Sequence, residues 1–320
     1  MRFVQKLSPA VVLVAVLLLA GIQPAAAPEY GEWQAPVMLP GPINAMPTFG
    51  AVLTRDGLTM YCTRGMPPAT DLYVSRRASV LEQWGAPENL GDPINTGSNE
   101  MLPALSRDEH WLFFTSDRPG SVGSWDLWVS WRKHTKDPFG WEGPVNLGPY
   151  VNSVAQETTG SYFENDDEGL PQLFFASNRV LIDPETPGTG NLPIGHDIYV
   201  SELQPDGTFG PAVLDEQLSL PFVPPSGVGD MEGRPMVRFD GREVIFVSDR
   251  AGSVGGQDLW VATRDSVSDP WEEPTNVPNV NTGGFELHPY LSPDGRTLYF
   301  SRRSGSSPYI YMTTREKYGS

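Results

Sequence analysis

Trp141-Glu-Gly-Pro-Val-Asn-Leu147, followed by the strand-like run Glu157-Thr-Thr-Gly-Ser-Tyr-Phe163, decides the fold, because the same succession returns along the whole chain. The phrase recurs as Trp33-Gln-Ala-Pro-Val-Met-Leu39, Trp84-Gly-Ala-Pro-Glu-Asn-Leu90 and Trp271-Glu-Glu-Pro-Thr-Asn-Val277. With phenylalanine in the lead it recurs as Phe209-Gly-Pro-Ala-Val-Leu214. Five anchors mean five units. A period of roughly 50–60 residues suits the blades of a propeller better than the shorter repeats of helical solenoids.

The unit beginning at Glu232 shows the grammar. Glu232-Gly-Arg-Pro-Met-Val-Arg238 and Glu243-Val-Ile-Phe-Val-Ser-Asp-Arg250 are β-rich runs separated by Phe239-Asp-Gly-Arg242, and Asp258-Leu-Trp-Val-Ala-Thr263 is a third. Asp-Gly between such runs is a strong hairpin signal, found at Asp56-Gly57, Asp240-Gly241 and Asp294-Gly295. Unit two has Arg107-Asp108-Glu109 at that place. Three strands and the Trp-anchored segment make a four-stranded antiparallel sheet, so the expected fold is all-β: a five-bladed β-propeller. Its inner strands begin near Thr48, Glu100, Glu157, Glu232 and Glu286. The chain opens with an outer-type segment, Trp33 to Leu39, and its last strand is of the third type. The N-terminal strand is therefore expected to complete the last blade, which leaves no loose sheet edge.

Residues 1–27 carry Arg2 and Lys6, the apolar run Val11 to Ile22 and then Ala25-Ala26-Ala27, the order of a secretory signal peptide. The run is shorter than the roughly 20 residues needed to span a bilayer. This predicts an extracytoplasmic protein, periplasmic or secreted, with residues 28–320 as one propeller domain and no membrane insertion after cleavage. The formal charge of −17 makes nucleic acid a poor partner. Cys62 is the lone cysteine and lies in an apolar strand, so it reads as a small buried hydrophobe. Nothing in the sequence points away from a monomer.

Unit five reads Glu286-Leu-His-Pro-Tyr-Leu-Ser-Pro-Asp-Gly-Arg-Thr-Leu-Tyr-Phe300, and unit two supplies Thr115-Ser-Asp-Arg-Pro-Gly120 with Asp126-Leu-Trp-Val129. These runs resemble the TolB-type, WD-like β-propeller repeat over residues 33 to 315. The resemblance implies the fold and, for function, either a binding module or part of an enzyme. The namesake propeller generally has six blades against the five units counted here, so its partners are not carried over.

Residues that recur in every unit read as architecture. Arg64, Arg118, Arg179, Arg250 and Arg303 end the second strands, and Asp71, Asp126, Asp197 and Asp258 open the third, so an Arg–Asp pair across the turn is expected. Trp128, Tyr199, Trp260 and Tyr311 read as packing between blades. Function is sought where symmetry breaks. The inner-strand starts Glu100, Glu157, Glu232 and Glu286 are expected around the channel mouth, where their mutual repulsion calls for protonation, amide hydrogen bonds or a cation. Two residues along stand Gly50, Leu102, Thr159, Arg234 and His288. Glu232, Arg234, Glu286 and His288 form a mixed charged cluster that repetition does not explain, and they lead the candidate ligand-binding set with Glu100 and Glu157. Two insertions, one between Arg179 and Asp197 and one over Gln217 to Asp230, are expected on the same face.

Three functions fit this pattern. The first is a binding propeller that takes a glycan, peptide or cell-envelope ligand at the mouth. It requires no cofactor, and its acidic oxygens would suit Ca²⁺. The second is a glycoside hydrolase-like enzyme with Glu232 and Glu286 as its carboxylate pair, although Thr48 stands where such enzymes place an acid. The third is a protein-interaction platform. The four histidines have no zinc spacing, and no Gly-x-Ser-x-Gly nucleophile motif occurs.

Overall fold

A computed structural model describes residues 29–164, 169–179, 195–220 and 231–318. The expected signal peptide and most of both insertions lie outside the described residues. Five separate four-stranded antiparallel sheets follow one another around a ring. Their innermost strands are Thr48–Leu53, Glu100–Leu105, Glu157–Phe163, Gly233–Val237 and Glu286–Leu291. The outermost strand of each blade is a two-residue segment within the tryptophan phrase, as at Val145–Asn146. In the fifth blade that place is taken by Val37–Met38, which pairs with Met312 and Tyr311. The N-terminal segment thus closes the ring as expected.

Second strands such as Val244-Ile-Phe-Val247 are continuous apolar runs because both sheet faces pack on neighbouring blades, and all four residues are wholly buried. Burying a side chain of the size of Phe246 contributes roughly 1.5–3 kcal/mol. Cys62 is also fully buried, and burial pushes its thiol up to about 12.

The tryptophan and the Asp-Gly turn are two ends of one device. An arginine just beyond the third strand lies 4.0–4.3 Å over the ring in four blades: Arg77 on Trp84, Arg132 on Trp141, Arg264 on Trp271 and Arg315 on Trp33. Its Nε donates to the turn carbonyl, of Gly57, Glu109, Gly241 and Gly295 respectively. Those carbonyls face the arginine from residues at positive φ, a conformation that glycine adopts freely; Glu109 adopts it at +63°. The third blade replaces the pair by Leu203 and Phe209, which bridge at the corresponding place.

In blades two and four the expected Arg–Asp pairs across the turn do not form among the described residues. Asp126 instead accepts from the amides of Val122 and Gly123 and from Asn146 of the outer strand, and Asp258 does the same with Val254, Gly255 and Asn276. The carboxylate satisfies the amides of its own turn, and the arginine is left for the inner strand. The recurring asparagines were not singled out in the sequence. Asn95, Asn152 and Asn281 each grip both backbone groups of a third-strand leucine: Leu72, Leu127 and Leu259.

Every inner strand carries a β-bulge. Phe49 pairs Thr63 and Val52 pairs Tyr61, so three steps on the inner strand answer two on its partner. The same mismatch follows Met101, Thr159, Gly233 and Leu287. It explains the Glu-x-x-Pro spacing. Pro103, Pro235 and Pro289 fall in the bulge, where the ladder is interrupted and a missing N–H costs nothing.

Candidate binding site at the channel mouth

The inner-strand glutamates begin the strands as expected, but each is buried in its own blade against an arginine. Glu100 accepts from Thr96 N at 3.0 Å, Thr96 Oγ1 at 2.7 Å and Ser116 Oγ at 3.1 Å, and pairs Arg118 at 3.0 Å. Glu157 repeats this with Ser153, Ser177 and Arg179 at 3.1 Å. The caps come from the loop leading into the same strand, not from the neighbouring blade. The arginine lies between two aromatic rings of its own blade, Arg118 between Phe114 and Trp128 and Arg179 between Phe175 and Tyr199, a contact within the blade where packing between blades was expected of Trp128 and Tyr199. Arginine and amide hydrogen bonds thus neutralise these carboxylates.

Blade five shifts this arrangement. Glu286 accepts from Thr282 and pairs Arg302, at 2.7 Å, rather than Arg303, which the repeat pattern aligns with Arg118 and Arg179. Arg302 stacks on Phe300 and Tyr311 like its counterparts. Arg303 is thereby an additional arginine, lying 5.1 Å over Phe285. In blade one Thr48 donates to Ile43 O, and Arg64 stacks on Tyr73.

Blade four has a weaker lock. Glu232 accepts from Ser248 Oγ at 2.8 Å and meets Arg250 only at 3.3 Å. Leu220 stands where Thr96, Ser153 and Thr282 supply a hydroxyl. Its amide offsets a small part of the burial cost, and Oε2 has no hydrogen bond of normal geometry among the described residues. Burial therefore pushes the Glu232 carboxyl up to about 7.

The residues two along from the glutamates face the channel. Gly50, Leu102, Arg234 and His288 all take φ between +52° and +61°, the first residue of the bulge. Leu102, Arg234 and His288 line a cavity of about 170 Å³ at the mouth, to which all five blades contribute: Phe49, Trp125, Thr158 and Arg303 are also among its walls. Among the described residues no carboxylate lines it. The corresponding residue of blade three is Thr159, whose side chain lies outside the described set. The sequence marked Arg234 and His288; it did not single out Phe49 or Trp125, and it gave Arg303 a structural role. The signal for Arg303 was the doubled Arg302-Arg303, found at the end of the second strand in no other unit.

His288 is 9% exposed, its Nδ1 is buried without a partner, and Phe49 lies 5.1 Å from its ring. Burial, then Arg234 and Arg303, hold its pKa well below the usual histidine value, so the ring is neutral at pH 7. Burial and Arg303 push the Arg234 guanidinium down to about 10, which leaves it charged. No carboxylate among the described residues pairs with Arg234, and its buried Nε has no hydrogen bond. A second cavity of about 50 Å³ adjoins on the far side of Arg234, walled by Trp125, Thr158 and His196. Burial and Arg234 take His196 down to about 4. The described residues bring no three His, Cys, Asp or Glu side chains together as a metal site.

No protein-family model and no curated protein sequence matches the chain. Solved structures do. A thermostable family-43 glycoside hydrolase aligns with a TM-score of 0.57 at 14% identity, over 86% of this chain and 92% of that one. The α-L-arabinofuranosidase from Podospora anserina, in complex with cellotriose, aligns at 0.56 and 12%, over 91% and 98%. An endo-1,4-β-xylanase from Bacteroides thetaiotaomicron aligns at 0.56 and 14%, over 85% and 95%. TolB from Acinetobacter baumannii aligns at 0.45 and 14%, over 85% of this chain and 55% of that one; the TolB-type repeat is not singled out among these structures. At such identities the likeness is one of fold: the chain is a five-bladed β-propeller of the architecture that these glycoside hydrolases share.

Proposed function

We propose that the chain is an exported binding propeller that holds its ligand at the channel mouth without cleaving it. The observation that carries this reading is the separation of the carboxylates from the cavity. Glu100, Glu157 and Glu286 are wholly buried in arginine pairs, and the mouth is walled by aromatic, aliphatic and cationic side chains. Glycoside hydrolysis needs two carboxyl groups flanking the bond to be cut. A concave, largely apolar site with a few convergent polar groups suits binding.

One observation favours the hydrolase alternative. Glu232, at about 7, has the acidity of a general acid. Its intended partner Glu286, however, is held by Arg302 and Thr282. The deciding experiment incubates the protein with oligosaccharides and cell-wall fragments and reads retained ligand and new product by mass spectrometry. Retained, unaltered ligand is expected. A shortened product that disappears in Glu232→Gln overturns the binding reading.

A further inference from the structure

We infer that the mouth is a receptor for one carboxylate group, gripped by Arg234 with Arg303 and His288, while the molecule that carries it lies against Phe49, Leu102 and Trp125. This rests on the reading that the mouth binds rather than cuts.

The first argument is charge. Arg118, Arg179, Arg250, Arg302, Arg238 and Arg315 pair with a carboxylate, and the buried Arg64 and Arg132, which do not, donate to oxygens of Pro42 and of Glu109, Asp137 and Tyr61, so all of these guanidinium groups have an oxygen partner. Arg234 has none among the described residues, though it sits in the channel of a chain with formal charge −17. An uncompensated buried charge is costly, and a bound anion removes that cost.

The second argument is the backbone. At the bulge a non-glycine residue in the left-handed region is strained by roughly 1–3 kcal/mol, and Gly50 meets the same requirement without a side chain. Arginine and histidine are therefore not explained by the architecture. Their side chains project into the cavity.

The third argument selects the anion. A guanidinium fork matches the two oxygens of a planar carboxylate. His288, neutral and nine-tenths buried, offers an N–H without adding a second buried charge. One buried cation is balanced by one negative charge. A dianionic phosphate would lose more hydration against Phe49, Met101, Leu102 and Leu287 than the single buried cation returns. The cavity is small, so the carboxylate enters first and its carrier remains at the rim. A uronic acid of a glycan and the C-terminus of a peptide both present that group.

The test is calorimetric titration of the full chain with glucuronate, oligogalacturonate and an acetylated alanine tripeptide. Glucose, neutral oligosaccharide, the tripeptide amide and inorganic phosphate are run beside them, with product analysis on each mixture. Carboxylates are expected to bind roughly 10- to 100-fold tighter than their neutral counterparts. Arg234→Met and Arg303→Gln should each abolish that preference. Arg303 is exposed, so its variant keeps the fold even if Arg234→Met does not. Glucuronate and oligogalacturonate alone as ligands support an acidic glycan, and the tripeptide alone supports a peptide terminus. Equal binding of neutral forms, tighter binding of phosphate, binding unchanged in both variants, or no binding of any carboxylate overturns the proposal. Neutral ligand held at the mouth would leave the binding reading standing, whereas shortened products would overturn that reading whatever the arginine variants do.

Discussion

Two rings of residues, two positions apart on the same inner strands, show how one repeated unit supplies both scaffold and site. At the strand start a glutamate faces into its blade and is satisfied by arginine, hydroxyl and amide groups. Two residues on, past the start of the bulge, the side chain faces the channel and is satisfied by nothing the repeat provides. The first position is kept alike and buried; the second is free to vary, as Gly50, Leu102, Arg234 and His288 do. A single extra residue in the strand separates the two environments.

The sharpest attack on this contrast removes charge from each ring. Glu100→Gln leaves Arg118 buried with a neutral partner and is expected to lower stability by roughly 3–5 kcal/mol in urea denaturation. Arg234→Met removes a cation that has no partner and should cost nothing or raise stability. An equal loss in both would show that the second ring is as structural as the first.

Glu232 tests the first ring at its weak point. Its folded pKa is raised, so the folded state keeps a proton that the unfolded chain releases. Stability from this group is present at low pH and is lost as pH rises from the ordinary glutamate value of 4.5 through about 7. Over that window Glu232→Gln should gain up to about 3 kcal/mol on the parent, in denaturation curves at pH 4.5 and 8. His196 runs the other way, since its lowered pKa takes stability away as pH falls below 6.5 towards 4, and it should act alike in both proteins. A pH-independent difference would mean that Glu232 is as well locked as Glu100.

The bulge itself gives opposite effects of about 1 kcal/mol. Gly50→Ala places a Cβ 3.0 Å from Leu102 Cδ2 at φ +61° and should lower the denaturation midpoint, while His288→Gly relieves strain and should hold or raise it. The smallest effect belongs to the outer device. Arg264→Leu, measured the same way, should cost about 0.5–1 kcal/mol, because the third blade already manages with Leu203 and Phe209.

The fold was legible because the tryptophan and the Asp-Gly turn are joined through one arginine, so losing either loses a blade's outer lock. Both therefore recur in plain view. The site was only partly legible. Position counting reached Arg234 and His288, yet it placed the glutamates in the mouth, because a bulge reverses side-chain direction without leaving a composition signal. The clue was the proline inside three of the five bulges. Arg302 and Arg303 could not be told apart by spacing alone. The inner lock sits opposite the glutamate in blade five but two residues later in blades two to four. The asparagine clasps escaped notice because asparagine in a turn already has a sufficient local reason to be there.

The pairing of Val37–Met38 with Tyr311 and Met312 means that the fifth blade is assembled from the first and the last of the described strands. The first strand has no sheet to join until the final one exists. The ring therefore cannot close until both of these strands are in place. Closure then comes as one late, long-range step of high contact order.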